Sequence, residues 1–419
     1  MPAVSATLTS PTLARWREAA HEAKRRLTGA PHRIDWFYQA DDPYSHLLAQ
    51  LLPRVVAAYP VTLQLHLVPP PERAAAPEPE LLGRYALHDA ALLAQALGID
   101  FPAGAAQPDP EMVRRANTRL AALPATNPGL DAVVAIGSAL WRGADDVSRS
   151  SAAVDEATLH RRLEADDRVR RRLGHYLGGT LYYGGVWYWG PDRLGHLLAR
   201  LDRLGVRTAG APDLDVTPRR PVTLPDVAPP LEAFFSFRSP YSAIAMPQVF
   251  DLARRYGVAL TLRPVLPMVM RGLPLPASKR RYILLDAKRE ADRLGIPFGR
   301  IADPVGSGAE RCLAVLHHVV GTERAEAFVR SAMRGIWAEG LDAASDAGLA
   351  TMAERAGIAA HEVAAALADE DWRARVEHNR VTLFAAGLWG VPSFRLGALA
   401  TWGQDRLWLV EQALQAIRQ

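Results

Sequence analysis

The chain has 419 residues, 49% of them hydrophobic and 22% charged, with a formal net charge of +4. That length suits two ordinary domains better than one core, and no run of about 18 uncharged apolar residues is present to span a membrane. A single cysteine, Cys312, excludes an internal disulfide, a C-x-x-C redox pair and a cysteine-rich zinc site, and arginines scattered among acids give no basic stripe for nucleic acid.

In chain order, residues 1–29 form a polar lead-in with a short amphipathic helix ending in Lys24, Arg25 and Arg26. They lack the apolar core of a secretory signal, so a cytoplasmic protein is expected. Residues 34–39 read as a strand, and Pro43-Tyr44-Ser45 follows at a helix start, where proline suits the first turn. A second strand-like alternation covers 61–68, then a long helical middle, then a hairpin over 180–189 around Gly184-Gly185, then a closing amphipathic helix. The segment 205–230 is rich in proline, has no period and reads as a semi-extended linker. After it the same order returns: strand at 231–237, Pro240-Tyr241-Ser242, strand at 258–266, a helical middle, a hairpin over 393–402 around Gly397, and a last helix. The domains are therefore expected at 30–204 and 231–419.

The two halves are also alike in letters. RYALHDAALLAQALGIDF (84–101) matches RYILLDAKREADRLGIPF (281–298) at a shift of 197, which also superposes Pro43-Tyr44-Ser45 on Pro240-Tyr241-Ser242. Near the ends of the copies WGPDRL (189–194) matches WGQDRL (402–407) at a shift of 213. A repeat of this period is a fold-level signal. Strand, helix, strand, helical insert, two antiparallel strands and helix is an α/β, thioredoxin-like layout, here written twice.

Residues 234–242, F-F-S-F-R-S-P-Y-S, run from a strand into a turn shaped like a redox C-x-x-C with both sulfurs replaced by hydroxyls. With L-R-P-V-L (262–266), S-K-R-R-Y (278–282), R-L-G-I-P-F (293–298), I-W-A-E-G (336–340), G-V-P-S-F (390–394) and W-G-Q-D-R-L (402–407), the second copy resembles the 2-hydroxychromene-2-carboxylate isomerase and kappa-class glutathione transferase branch of the DsbA-like thioredoxin superfamily. The first copy resembles the same fold more weakly. The resemblance implies two tandem DsbA-like domains, each with a helical insert, and glutathione or another low-molecular-weight thiol as the cofactor.

Carried onto this sequence, the resemblance makes Ser239 the hydroxyl that hydrogen-bonds the sulfur of bound glutathione, favouring thiolate over thiol with help from the following helix. It makes Pro392 a cis-proline that turns the backbone of Val391 toward an extended peptide. Gln404 and Asp405 would hold the γ-glutamyl end, and Lys279 would lie near glutathione or an anionic substrate. Read without the resemblance, Ser239 is equally a plain helix cap, Pro392 an ordinary first residue of a strand, Asp405 a cap and Lys279 a solvated helix-start lysine. Relatives commonly carry an Asn in a glycine-containing stretch after the second strand, whereas residues 267–276 read PMVMRGLPLP.

The expected activity is a glutathione-dependent isomerase acting on a small conjugated electrophile. A kappa-like glutathione transferase and a non-catalytic thiol- or peptide-binding scaffold are the alternatives. A disulfide oxidoreductase is excluded by the cysteine count. His317 and His318 are adjacent and cannot share one helix face, so no metal site is expected. Asp42 aligns with Ser239 and Gly179 with Pro392, so the first copy lacks both diagnostic residues and reads as degenerate. Family members are typically dimers, which implies either a homodimer or a monomer in which the degenerate copy replaces the partner.

Overall fold

The computed structural model describes residues 2–144, 152–273 and 275–418. Its contacts divide into two compact units, residues 15–223 and residues 224–419 together with 1–14. The amino-terminal lead-in is helical, but as two helices, α1 (Pro2–Leu8) and α2 (Pro11–Leu27).

The unit of residues 15–223 contains β1 (His32–Tyr38), α3 (Pro43–Ala58), β2 (Val61–Leu67), α4 (Pro79–Leu97), α5 (Pro110–Ala122), α6 (Leu130–Trp141), α7 (Glu156–Leu173), β3 (Thr180–Tyr183), β4 (Val186–Trp189) and α8 (Leu194–Arg203). Its sheet has the order β2-β1-β3-β4. The β1–β2 pair is parallel, as a crossover through α3 requires, and β3 and β4 form an antiparallel hairpin turned by Gly184 and Gly185.

The other unit repeats this plan with β5 (Leu231–Phe235), α9 (Pro240–Tyr256), β6 (Leu260–Pro264), α10 (Ala277–Arg293), α11 (Ser307–Val319), α12 (Glu323–Arg334), α13 (Asp346–Glu354), α14 (Ala360–Ala368), α15 (Trp372–Ala385), β7 (Ser393–Leu396), β8 (Leu399–Trp402) and α16 (Leu407–Arg418). The sheet order is β6-β5-β7-β8, again parallel then antiparallel. Every residue of β5 is buried, as expected of a strand at the centre of a covered sheet.

The letters shared by the two copies mark shared packing. In the first unit the buried carboxylate of Asp89 on α4 accepts hydrogen bonds from Tyr44 (2.7 Å) and Tyr85 (3.1 Å). In the second, Asp286 on α10 accepts from Tyr241 (2.7 Å), Tyr282 (3.4 Å) and Arg289 (2.5 Å). Each aspartate thus ties the first turn of the helix after the first strand to the helix after the second strand. Ser45 and Ser242 match as well: each Oγ accepts the backbone N–H at the strand end, from Gln39 at 3.2 Å and from Ser236 at 3.3 Å.

The proline-rich segment has no regular structure, yet it is tied down as far as Thr223. Thr208 donates to the carbonyl of Ala58, Arg219 and Arg220 both donate to Ala96, and Thr223 donates to the side chain of Gln95. Cys312 lies fully buried on α11, where burial pushes its thiol up to about 12. It therefore packs as a small hydrophobe.

Replacing Asp286 by Ala removes the carboxylate that Tyr241, Tyr282 and Arg289 share and should cost about 3 kcal/mol. Urea unfolding of the full-length variant measures the loss, and a loss below about 1 kcal/mol would show that the charged hydrogen bond from Arg289 adds nothing to the tie.

Candidate active site at the start of α9

Strand β5 ends at Phe235 and α9 begins at Pro240, so the four-residue turn at 236–239 carries the candidate chemistry. Ser239 is the helix cap: with φ −91° and ψ 117° it stays extended, and its Oγ accepts the N–H of Ser242 at 3.1 Å. The same hydroxyl donates to the carbonyl of Val391 at 3.2 Å. The Val391–Pro392 peptide is cis, as the resemblance implies. Pro392 is buried and immediately precedes β7, while Ser239 and Val391 are half-buried. Ser239, Val391 and Pro392 are therefore brought together at one edge of the sheet. The carbonyl of Pro392 accepts from Gly403 at 2.9 Å, which fixes the turn that leads into Gln404 and Asp405.

Residues Gln404–Arg406 form a 3-10 turn ahead of α16, and the side chain of Gln404 points inward. Its amide donates to the buried carboxylate of Glu290 at 3.1 Å. Asp405 is the member of the pair with an outward carboxylate, its side chain 21% exposed. Lys279 sits in the first turn of α10, half-buried, and burial lowers its ammonium to about 8. Two hydrogen bonds and the tie through Tyr241 thus organise the hydroxyl, and Lys279 lies on the helix to which Tyr241 is tied.

Side chains around the turn that residue patterns alone did not single out complete it. Arg238, one residue before Ser239, donates twice to Asp303, at 2.8 Å and 2.8 Å, in the bidentate geometry that fixes both partners. The indole of Trp337 donates to the carbonyl of Phe237 at 2.9 Å and its ring stacks on Phe298 at 5.6 Å. Trp337 lies in a π-helical turn, Gly335–Glu339, a wide turn frequent at functional sites. Phe298 and Trp337 fall within the quoted segments R-L-G-I-P-F and I-W-A-E-G, so the signal was present; nothing local in the letters pairs them with the turn at 236–239.

The same place in the first unit is built differently. Asp42 caps α3, accepting from the N–H of Ser45 (2.9 Å), the N–H of Tyr44 (3.4 Å) and the hydroxyl of Ser45 (2.7 Å). Burial outweighs these bonds and pushes its carboxyl up to about 6. Gly179 occupies the position of Pro392, with its carbonyl accepting from Gly190 (2.8 Å) as Pro392 accepts from Gly403. At φ +60° a side chain there would be strained, and a β-carbon would come within 2.7 Å of Asp42 Oδ2. The aspartate thus fills the space that the cis-proline borders in the other unit.

The sign of the Asp42 shift sets a pH dependence. Its folded pKa lies above the ordinary carboxylate value of about 3.9, so its contribution to stability is complete below about pH 4 and is lost as pH rises through about 6. Asp42→Asn should flatten the decline of first-unit stability between pH 4 and 7 relative to wild type, measured by chemical unfolding across that range; an unaltered slope would show that burial does not hold the carboxyl up.

Comparison with known proteins bears on the second unit. Residues 230–415 match the DSBA-like thioredoxin domain. Over 44% of this chain, the carboxy-terminal part, the sequence is 26% identical to a 2-hydroxychromene-2-carboxylate isomerase from Sphingobium xenophagum, spanning 97% of that protein. It is 23% identical to the enzyme of the same name from Pseudomonas putida, spanning 93% of it. A solved 2-hydroxychromene-2-carboxylate isomerase is 23% identical, with 45% of this chain and 95% of that chain covered and a TM-score of 0.40.

Proposed function

We propose that the DsbA-like domain of residues 230–415 is a glutathione-dependent isomerase of the 2-hydroxychromene-2-carboxylate isomerase type, with its site at Ser239. The observation that carries this reading is the hydroxyl of Ser239, held at a helix start and against the carbonyl of Val391 beside a cis peptide, in a chain whose own thiol is buried. The names of the similar proteins support the reaction type.

Glutathione, when bound, supplies the thiolate that adds reversibly to a conjugated double bond, leaves it free to rotate as a single bond, and departs. The residues present fit such a ligand. The Ser239 proton can turn from Val391 to a sulfur, and together with the positive end of α9 it favours thiolate over thiol. The backbone of Val391 and Pro392 borders the cysteinyl unit, and Asp405 offers an anion to the γ-glutamyl ammonium. Lys279, charged at neutral pH, offers a cation to the carboxylate of glutathione or of an aromatic acid substrate. Residues 30–204 are, in this reading, a degenerate copy from a tandem duplication, kept as scaffold because Asp42 and Gly179 leave neither a hydroxyl donor nor a cis-proline; each chain then has one site.

Two experiments test the site. Ser239→Ala should raise the pKa of enzyme-bound glutathione by about one unit, the worth of one hydrogen bond to an anion, and lower turnover at neutral pH about tenfold or more. Thiolate absorbance and binding heat on titration with glutathione measure both states; no binding to wild type would end the glutathione assignment, and an unchanged thiolate signal in the variant would remove Ser239 from it. Lys279→Met should weaken affinity for an anionic aromatic electrophile at pH 7, and the gap from wild type should close toward pH 9 as the lysine passes its pKa of about 8 and loses its charge. A gap that persists unchanged at pH 9 would mean the side chain acts by packing and not by charge.

A further inference from the structure

The first fourteen residues group with the second unit, although more than two hundred residues separate them from it in sequence. Helix α1 is seven residues long and none of its residues is buried, with Val4 62% and Leu8 43% exposed. A helix that short does not persist by itself in water, and this one gains little from burial. Polar contacts hold it instead. Ser5 Oγ accepts the N–H of Ile301 at 2.9 Å, and Thr9, itself buried, has its one hydroxyl proton between the carbonyl of Ser5 at 2.7 Å and that of Gly299 at 3.2 Å. The approach is close: a β-carbon on Gly299 would fall 2.6 Å from Thr9 Oγ1, and one on Gly340 would fall 2.9 Å from Pro2.

The loop that α1 holds is the one that supports the Ser239 turn. On its other side the N–H of Gly299 donates to the carbonyl of Trp337 at 2.8 Å, and that of Ala302 to Ile336 at 3.0 Å. The loop ends at Asp303, whose two oxygens take the guanidinium of Arg238. The turn at 236–239 is thus gripped twice, by Trp337 at Phe237 and by Asp303 at Arg238, and both grips are joined through residues 299–303.

We infer that residues 2–9 are a positioning element of the second unit's site: Ser5 and Thr9 pin the 299–303 loop, and Asp303 passes that constraint through Arg238 to Ser239. Its catalytic consequence rests on the reading of Ser239 given above. The mechanical part does not. None of these residues touches the reacting atoms; they act by restricting the loop, so that the Ser239 hydroxyl is held in place before a thiol arrives.

The test uses the full-length chain carrying Ser5→Ala with Thr9→Val, and separately Asp303→Asn, with amide hydrogen exchange and glutathione titration as readouts. In the double variant the Ile301 amide should exchange about fivefold to tenfold faster, as expected when one hydrogen bond is lost, and exchange at residues 236–239 should rise with it. Bound glutathione should show a higher thiol pKa in both variants while the global unfolding midpoint stays near that of wild type. Asp303→Asn should speed exchange at 236–239 and leave Ile301 as it is, which separates the two links of the chain. Unchanged exchange at Ile301 in the double variant would overturn the pin, and faster exchange at Ile301 with 236–239 unaltered would overturn its transmission to the site. If wild type binds no glutathione, the catalytic reading falls by itself, and the exchange at 236–239 still decides the mechanical inference.

Discussion

The hydrogen bond from Ser239 to the carbonyl of Val391 joins two segments 152 residues apart in sequence, the start of α9 and the approach to β7. It can form only because β5 lies between β6 and β7, so that the end of one strand and the beginning of its antiparallel neighbour meet at the same edge of the sheet. The rest of the unit serves that meeting. Asp286 fixes α9 against α10 through Tyr241, Ser242 ties the helix back to the strand end, and the bond between Gly403 and Pro392 closes the far side of the hairpin. Preorganisation of this kind matters for a weak donor such as a hydroxyl, whose contribution to stabilising an anion depends on not having to be reoriented when the charge forms.

The two units place different side chains on the same four-stranded frame, which separates what the fold requires from what the proposed site requires. The tyrosine–aspartate tie, the buried serine of the helix start and the hairpin-closing backbone bond occur in both. A charge cluster on the central strand also occurs in both, with altered chemistry. Glu232 takes Arg263 and Arg395 in the second unit, whereas the matching Asp35, half-buried, takes Arg33 and His66, and His66 is also bonded to Asp166 at 3.0 Å. Burial opposes a charge on His66, but the hydrogen bonds it makes to Asp166 and Asp35 prevail and its pKa is raised. The divergence at Asp42 and Gly179 is of another sort, because it closes the space beside the helix start instead of replacing one partner by an equivalent.

Local pattern carried much of this into view. Alternation marked the strands to within a few residues, with β5 and β6 shorter than the runs suggested, and glycine marked both hairpin turns. The constant shift pairs Ser239 with Asp42 in the sequence itself, because self-similarity is a property of letters. Contacts between distant charged residues are not. Nothing in the neighbourhood of Arg238 distinguishes Asp303 from the other acids of the chain, and nothing around Gln404 reveals that its amide turns inward to Glu290. The proline-rich stretch likewise showed its lack of regular structure but not its backbone bonds to Ala58 and Ala96, since such bonds depend on where a neighbouring helix ends.

The thiol chemistry proposed for this site also has to respect where the chain keeps its one thiol. Cys312 is fully buried on α11 and pushed up to about 12, so at neutral pH it is neither accessible nor ionised. A thiolate nucleophile in this protein must therefore come from outside. What the start of α9 offers to such a visitor is a hydroxyl proton, a helix end and a backbone edge, each of which interacts more favourably with an anion than with a neutral thiol. Ser242 cannot share that task, because it is fully buried with its oxygen turned to the N–H of Ser236. Of the two hydroxyls that stand in the C-x-x-C pattern, one supports the strand-to-helix turn and only Ser239 remains half-exposed to meet a ligand.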